Sequence, residues 1–195
     1  LFGNPLISYQ INNLKALNFN NIGITTGYKE EKLLTYNFKT FHNQFFDTTN
    51  MVESLFIARL FLEQAQGDIL ISYGDIVYEK RNLKKVLNTA GDIVVMIDEG
   101  WLDLWSIRND NPLNDAETLK YGSKGQILEL GKKPKSLLDI SGQYTGLIKI
   151  SYNKIKDFIS FYDQLDHSIL YEGRTFKQMY LTTYLQLLIN AGWMV

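Results

Sequence analysis

Short apolar segments of strand type alternate with segments of helical periodicity along this 195-residue chain, and this alternation limits the folds open to it. The clearest strand, Asp68–Tyr73, has the continuous apolar centre Ile69-Leu70-Ile71, which is typical of a strand covered on both faces. A helix predicted over residues 50–64 precedes it, and a second buried strand, Asp92–Met96, follows. Strands alternating with helices predict an α/β fold with a doubly wound, mostly parallel sheet.

The pattern changes after the second buried strand. Thr118–Tyr121 and Gln126–Leu130 flank the turn Gly122-Ser-Lys-Gly125, which predicts an inserted β-hairpin region. No repeat or linker divides the chain, so we expect one domain. The other predicted elements are helices that begin at Pro5 and cover Tyr28–Leu34, Leu83–Ala90, Asn153–Tyr162 and Thr175–Asn190, and strands over Ile22–Ile24, Phe38–His42 and Tyr144–Ile150.

Composition excludes several classes of function. The net charge is -1 and no basic face or tail stands out, so nucleic acid is not an expected partner. The absence of cysteine removes thiolate chemistry, and two histidines without metal-ligand spacing make a histidine-built metal site improbable. No apolar run is long enough to span a bilayer and no signal peptide is visible, so a cytoplasmic location without membrane contact is expected. The sequence is compatible with a homo-oligomer.

Tyr73-Gly74-Asp75 ends the clearest strand, at the edge of an open α/β sheet where ligands bind. Gly74 would let a ligand approach the backbone, and the Asp75 carboxylate could hold Mg²⁺, which prefers oxygen ligands. Taken alone, Asp75 could equally be an ordinary turn residue after a strand.

Asn50 and Ser54 lie at the start of the next candidate segment, the helix that precedes this strand. They could contact a nucleotide, or Asn50 could simply cap the helix together with Glu53. The sequence alone favours the simple cap.

Two tryptophans four residues apart, Trp101 and Trp105, would share one face of a helix. They could form an aromatic wall for a cationic group, with Asp115 and Glu117 supplying charge for an amine, or they could pack in the core. Farther along, Lys133, followed by a proline, could contact a phosphate or be an ordinary surface lysine.

These segments, in this order, resemble the sugar-phosphate-type nucleotidyltransferases. The similarity extends over essentially the whole chain, and the later segments are similar to the branch that contains choline-phosphate and 2-aminoethylphosphonate cytidylyltransferases. The matching segments are Gly3-Asn4-Pro5-Leu6-Ile7, Thr26-Gly27-Tyr28, Asn50-x-x-x-Ser54-Leu55, Gly74-Asp75, Trp101…Trp105…Arg108, Asp115-Ala-Glu117, Lys133-Pro134 and Gly142-Gln-Tyr144.

The resemblance implies a Rossmann-like fold and transfer of a nucleotidyl group, most simply CMP from CTP, to a small phosphate or phosphonate acceptor. Asp75 would hold the catalytic Mg²⁺, and Lys133 would hold the acceptor phosphate. Asn50, Ser54 and Gly74 would contact the nucleotide. The acceptor would be contacted by Trp101, Trp105, Asp115, Glu117 and Tyr144. A sugar-1-phosphate nucleotidyltransferase and a non-catalytic nucleotide-binding homologue are the alternatives.

The resemblance also implies segments that residues 1–195 do not contain, so we expect a domain truncated at both ends. The family opens with a strand and a glycine-rich basic loop, and it carries a second Mg²⁺-binding aspartate near its far end. Leu181-Thr182-Thr183 stands where the branch often has Met-Thr-Asp, which implies that an acidic contact to the substrate is lost.

Overall fold

A computed structural model describes all 195 residues of the chain. Eight α-helices and seven β-strands alternate, with four short 3₁₀ turns between them. The helices are α1 (Leu6–Lys15), α2 (Glu31–Leu34), α3 (Met51–Ile57), α4 (Arg59–Glu63), α5 (Lys80–Asn88), α6 (Trp101–Arg108), α7 (Ile155–Asp163) and α8 (Leu181–Asn190). The strands are β1 (Gly23–Thr26), β2 (Lys39–His42), β3 (Ile69–Ser72), β4 (Ile93–Asp98), β5 (Leu119–Tyr121), β6 (Ile127–Leu130) and β7 (Gln143–Ile150).

The strands form three separate groups. β1 and β2 pair in parallel, β5 and β6 form the predicted antiparallel hairpin, and the third group has the order β3-β7-β4. β7 runs antiparallel to both of its neighbours. The predicted α/β fold with a hairpin region is confirmed, but the expectation of mostly parallel pairing is wrong for this central group. Apolar content predicts that a strand is buried, but it does not specify the direction of its neighbour.

Helices cover both faces of β7, as expected for a doubly wound sheet. Ile148 and Ile150 belong to the main core, which also includes residues of α3, α7 and α8. Leu147 instead packs on the opposite face with Leu83 and Val86 of α5. All three β7 residues are at most 1% exposed, so this strand lies at the centre of the packing.

The predicted helix over residues 50–64 is divided in two. Asn50 caps α3 because its side-chain oxygen accepts a hydrogen bond from the Met51 amide, 2.9 Å away. The helical backbone breaks at Ala58, with φ -84° and ψ 17°, and α4 begins at the next residue. Both helices still turn apolar side chains, Val52 and Leu62 among them, into the main core.

β1 and β3 do not pair with each other, and a groove of about 580 Å³ lies between them. α1 contributes Ile11 and Leu14 to the groove, and the strands contribute Ile24 and Leu70. The groove is therefore largely apolar and is bordered on two sides by strands.

No helix in the structure is both long and apolar enough to cross a membrane.

Gly146 in β7 has a φ of +83°, and a Cβ added there would lie 2.6 Å from the Tyr73 ring. Gly125 in the hairpin turn has nearly the same φ, +82°, with no atom within 4 Å of an added Cβ. We expect Gly125→Ala to lose roughly 1–2 kcal/mol of unfolding free energy from backbone strain. Gly146→Ala should lose at least about 1 kcal/mol more because of overpacking. Urea unfolding of both variants measures this difference, and equal losses would contradict the proposed contact.

Candidate active site

The loop that follows β3 carries the exposed Asp75, and a buried glutamine of α1 fixes that loop. Gln10 is 6% exposed, and its Nε2 donates to the carbonyl oxygens of Tyr73 and Ile76, each 2.8 Å away. Its Oε1 accepts from the Ser72 hydroxyl at 2.8 Å. Gln10 therefore holds the backbone on both sides of Gly74 and Asp75.

Asp75 fits a hard cation, although it offers only one carboxylate. No group of three or more His, Cys, Asp or Glu side chains converges as a metal cluster anywhere in the structure. A single exposed carboxylate suits Mg²⁺, which keeps several waters and takes phosphate oxygens as its other ligands. A histidine- or thiolate-based metal would find no site here.

Two tyrosines stand next to the Asp75 loop, one at the end of β3 and one on β7. The rings of Tyr73 and Tyr144 meet edge to face, with 5.7 Å between centroids. Both hydroxyl groups are buried and have no hydrogen-bond partner. Burial raises the pKa of Tyr73 to about 12, and it raises the pKa of Tyr144 further. Both side chains are therefore neutral at physiological pH, with hydroxyl groups that complete no hydrogen bond within the chain.

Glu117 lies beyond Tyr144 and has an unusual environment for a carboxylate. Burial raises the pKa of Glu117 to about 7, and the carboxylates of Glu172 and Asp115 raise it too. Its backbone is fixed by the buried Gln143, whose Nε2 donates to the Glu117 carbonyl at 2.7 Å. The Glu117 amide donates to Gln143 Oε1 at 3.2 Å.

The first turn of α8 lies against Glu117. Thr182 is 3% exposed, and its hydroxyl faces Glu117 and lowers the pKa of that carboxyl. The hydroxyl nevertheless completes no hydrogen bond within the chain. The neighbouring Thr183 donates to Glu172 Oε2 at 3.1 Å, and it thereby brings a carboxylate from the preceding loop to the same helix end.

Of the two predicted nucleotide contacts, Ser54 is held by a buried asparagine that follows β2, whereas the Asn50 side chain accepts from the Met51 amide. Asn43 is 1% exposed, and its Nδ2 donates to Ser54 Oγ at 3.0 Å and to Thr49 Oγ1 at 2.9 Å. Its Oδ1 accepts from the Phe45 amide at 3.0 Å. Asn43 therefore fixes both the loop before α3 and the first turn of that helix.

The remaining candidates meet around residues 113–117. Lys133 Nζ donates to the Leu113 and Asn114 carbonyls, at 2.6 Å each, next to the exposed Asp115. Trp101 is 4% exposed and packs with Ala116 and Ile140 in a small core.

The second tryptophan of the predicted wall packs against the first. Trp105 meets Trp101 edge to face, with 6.0 Å between ring centroids, and it is half-buried. The Arg108 guanidinium lies over the Trp105 ring at 5.4 Å from its centroid. Little tryptophan surface is therefore left for a ligand.

No role was predicted for four residues that build the site: Gln10, Asn43, Gln143 and Thr182. Gln10 could have been noticed, because it is a polar residue on the otherwise apolar face of α1. Gln143 and Thr182 lie in segments that the family resemblance singled out, but their partners are far away in the chain. Asn43 gave no signal in the sequence.

Two solved structures share this fold. An inositol-1-phosphate CTP transferase from T. maritima superimposes with a TM-score of 0.70 and 15% identity, over 97% of this chain and 70% of that one. A Bacillus anthracis protein described as a glucose-1-phosphate thymidylyltransferase gives a TM-score of 0.68 and 15% identity, over 97% and 72% of the two chains. At this level of identity the matches define the fold alone.

Sequence similarity identifies the family. The chain is 42% identical to a CTP:phosphoglutamine cytidylyltransferase of Campylobacter jejuni, over 95% of this chain and 76% of the relative. No protein-family model matches the chain. The protein belongs to the cytidylyltransferase family of nucleotidyltransferases, which confirms the predicted family and the prediction that it is an enzyme.

The raised pKa of Glu117 predicts how stability depends on pH. The folded state holds the proton up to about pH 7, whereas the ordinary carboxyl value is 4.5. Stability contributed by neutral Glu117 is therefore present below pH 4.5 and is lost as pH rises through 7. Because Glu117→Gln stays neutral, the unfolding free energy of the wild type minus that of the variant should be lower at pH 8 than at pH 5. Equal differences at the two pH values would refute the buried environment.

Proposed function

We propose that the protein transfers a cytidylyl group from CTP to a phosphate or phosphonate oxygen of a small acceptor and releases pyrophosphate. The observation that carries the proposal is the 42% identity to a cytidylyltransferase that acts on phosphoglutamine. The exposed carboxylate of Asp75 at the end of β3, near unpaired polar groups, is consistent with this chemistry.

On the nucleotide side, we assign the base contacts to Asn50 and Ser54. Ser54 accepts a hydrogen bond from Asn43 and Asn50 accepts one from the Met51 amide, so both side chains would be oriented before the nucleotide arrives. Gly74, which has no atom within 4 Å of an added Cβ, leaves room for a phosphate close to the backbone. Preorganisation of this kind aligns the reacting groups without an entropy cost at the moment of reaction.

Asp75 would hold Mg²⁺. The metal, when bound, neutralises the negative charge that develops on the transferring phosphoryl group. The role of Gln10 is to fix the Tyr73 and Ile76 carbonyls and with them the position of the Asp75 carboxylate. No covalent intermediate on the enzyme is required, because the acceptor oxygen can attack the α-phosphorus directly.

On the acceptor side, Lys133 would hold the phosphate or phosphonate, and Tyr144 would contact the organic part. Two of the three lysine N–H donors already bond the Leu113 and Asn114 carbonyls, which leaves one donor and the full charge for an anion. Glu117 and Asp115 would attract a positive group on the acceptor. The tryptophan wall has less support, because Trp101 is buried and Arg108 covers Trp105.

We further propose that the complete domain includes a strand in the groove between β1 and β3. The groove has apolar walls and a strand on two sides, which suits an extended apolar segment. Such a strand would be the opening strand of the family, and it would bring the glycine-rich loop to the nucleotide. The second Mg²⁺-binding aspartate likewise would lie outside residues 1–195. A cytoplasmic location remains a prediction.

The test is a pyrophosphate-release assay of the complete protein, with each of the common NTPs and with choline phosphate, 2-aminoethylphosphonate, glucose 1-phosphate and mannose 1-phosphate. Release should require CTP and a non-sugar acceptor. Turnover with a sugar 1-phosphate would favour the sugar-nucleotide alternative. Nucleotide binding without release by any acceptor would favour the non-catalytic one.

In the same assay, Asp75→Asn should lower kcat by roughly 100-fold or more, because the metal loses its charged protein ligand. The matched control is Asp68→Asn at the opposite end of β3. Asp68 accepts a hydrogen bond from the Tyr152 amide at 2.9 Å, which an asparagine oxygen can also accept, so this variant should keep near wild-type turnover. Near wild-type turnover by Asp75→Asn would overturn the assignment of the metal ligand.

A further inference from the structure

Near the Asp75 loop, polar groups from three elements come together without being fully satisfied by the protein. They belong to Tyr144 from β7, Glu117 from the segment before β5, and Thr182 from the first turn of α8. The hydroxyl oxygens of Tyr144 and Thr182 are buried without a hydrogen-bond partner. Buried polar groups in folded proteins are normally paired, so unpaired ones that lie together indicate a missing ligand.

The charge around these polar groups indicates the sign of that ligand. The carboxylates of Glu172 and Asp115 are close enough to Glu117 to raise its pKa. The salt bridges of the chain join other acidic residues to lysine, arginine or histidine, and none of them includes these three carboxylates. No cationic side chain therefore neutralises the negative field around Glu117, and that field favours a cation.

Glu172 is held in place rather than free. It precedes Gly173 in a tight turn and has a φ of +51°, and its Oε2 accepts a hydrogen bond from Thr183 at 3.1 Å. Thr182 and Thr183 are successive residues, so one hydroxyl faces Glu117 while the next fixes Glu172. Thr183 stands where the family branch often has an aspartate. Its hydrogen bond to Glu172 thus places a carboxylate from the adjacent loop at this position.

The type of donor distinguishes two kinds of cation. A primary ammonium group presents three N–H donors, which match carboxylate and hydroxyl acceptors. A quaternary ammonium group has no donor and depends on exposed aromatic faces. The tryptophans offer little such surface, since Trp101 is 4% exposed and Arg108 lies over Trp105.

We propose that Glu117, Glu172, Thr182 and Tyr144 form a subsite for a primary ammonium group on the phosphorylated acceptor. This inference rests on the proposed function and narrows its substrate class to phosphates and phosphonates that carry a primary amine. Glu117 and Glu172 bind the ammonium charge, and the Thr182 and Tyr144 hydroxyls accept its remaining N–H groups. Thr183 is a positioning residue that acts through Glu172.

The test compares three acceptors that differ only at the cationic end: 2-aminoethylphosphonate, its N,N,N-trimethyl derivative and ethylphosphonate. Pyrophosphate release from CTP by the complete protein gives kcat/KM for each. We expect the primary amine to exceed ethylphosphonate by roughly 100-fold or more, because the uncharged analogue leaves buried polar groups unpaired. We expect it to exceed the trimethyl compound by at least about 10-fold, since that compound donates no hydrogen bond.

Glu117→Gln and Glu172→Gln should each reduce the preference for the amine over ethylphosphonate by at least about 10-fold. The control is Glu129→Gln on β6, because Lys132 and Lys120 already neutralise that carboxylate at 3.0 and 3.8 Å. Its preference should equal that of the wild type. Since Glu172 is exposed, Glu172→Gln tests the proposal even if Glu117→Gln folds poorly.

Two failures can be told apart. Absence of pyrophosphate release with these acceptors and with phosphoglutamine, the acceptor named for the similar enzyme, would overturn the proposed function itself. The ammonium subsite would be overturned by equal release with the amine and ethylphosphonate or by a preference for the trimethyl compound. It would also be overturned by an amine preference that both glutamine variants retain. In each of these cases the transferase function would still stand.

Discussion

The antiparallel placement of β7 between β3 and β4 is the constraint on which the structure depends. Its backbone pairs with the strand on each side, and its side chains pack into two cores on opposite faces of the sheet. The same pairing sets Tyr144 of β7 against Tyr73 at the end of β3. Without β7, the loop that carries Asp75 would have no fixed relation to the polar groups around Glu117.

The close approach of β7 to Tyr73 requires a residue without a side chain. At Gly146 the φ of +83° is one that glycine adopts readily, and any Cβ there would overlap the ring. The contact fixes Tyr73 from one side while Gln10 holds its carbonyl from another. The Asp75 loop is thus exposed to ligands but rigid in its backbone, which suits a metal ligand.

The unpaired polar groups around Glu117 lower the stability of the empty protein, and a ligand that pairs with them would remove that free-energy cost. Each buried donor or acceptor left without a partner costs about 1–3 kcal/mol, and these groups include the hydroxyls of Tyr144 and Thr182 as well as the crowded Glu117 carboxylate. Apolar side chains in their place would be more stable and would bind no polar acceptor. In the proposed subsite, the residues that recognise the acceptor would also be those that destabilise the empty protein.

Sequence patterns predicted most of the elements, the hairpin, the family and the position of Asp75 after a strand. These features depend on local periodicity or on the order of short motifs, which one sequence displays. The expectation that the strand before Asp75 is covered on both faces is wrong, because β3 lies at the edge of its three-stranded group and all four of its residues are only partly buried. The antiparallel direction of β7 and the polar contacts of Gln10, Asn43 and Thr182 were not predicted. They join residues far apart in the chain, such as Gln10 and Tyr73, and only packing determines which polar side chains meet.

Paramagnetic broadening of backbone amides by Mn²⁺, added with CTP to the ¹⁵N-labelled complete protein, tests the central claim most directly. Mn²⁺ accepts the same oxygen ligands as Mg²⁺, so it should occupy the same site. We predict that the amides of Gly74, Asp75 and Ile76 broaden first and that Asp75→Asn removes the effect. Broadening that Asp75→Asn leaves unchanged, or that centres on another carboxylate such as Asp166, would contradict a metal site at the end of β3.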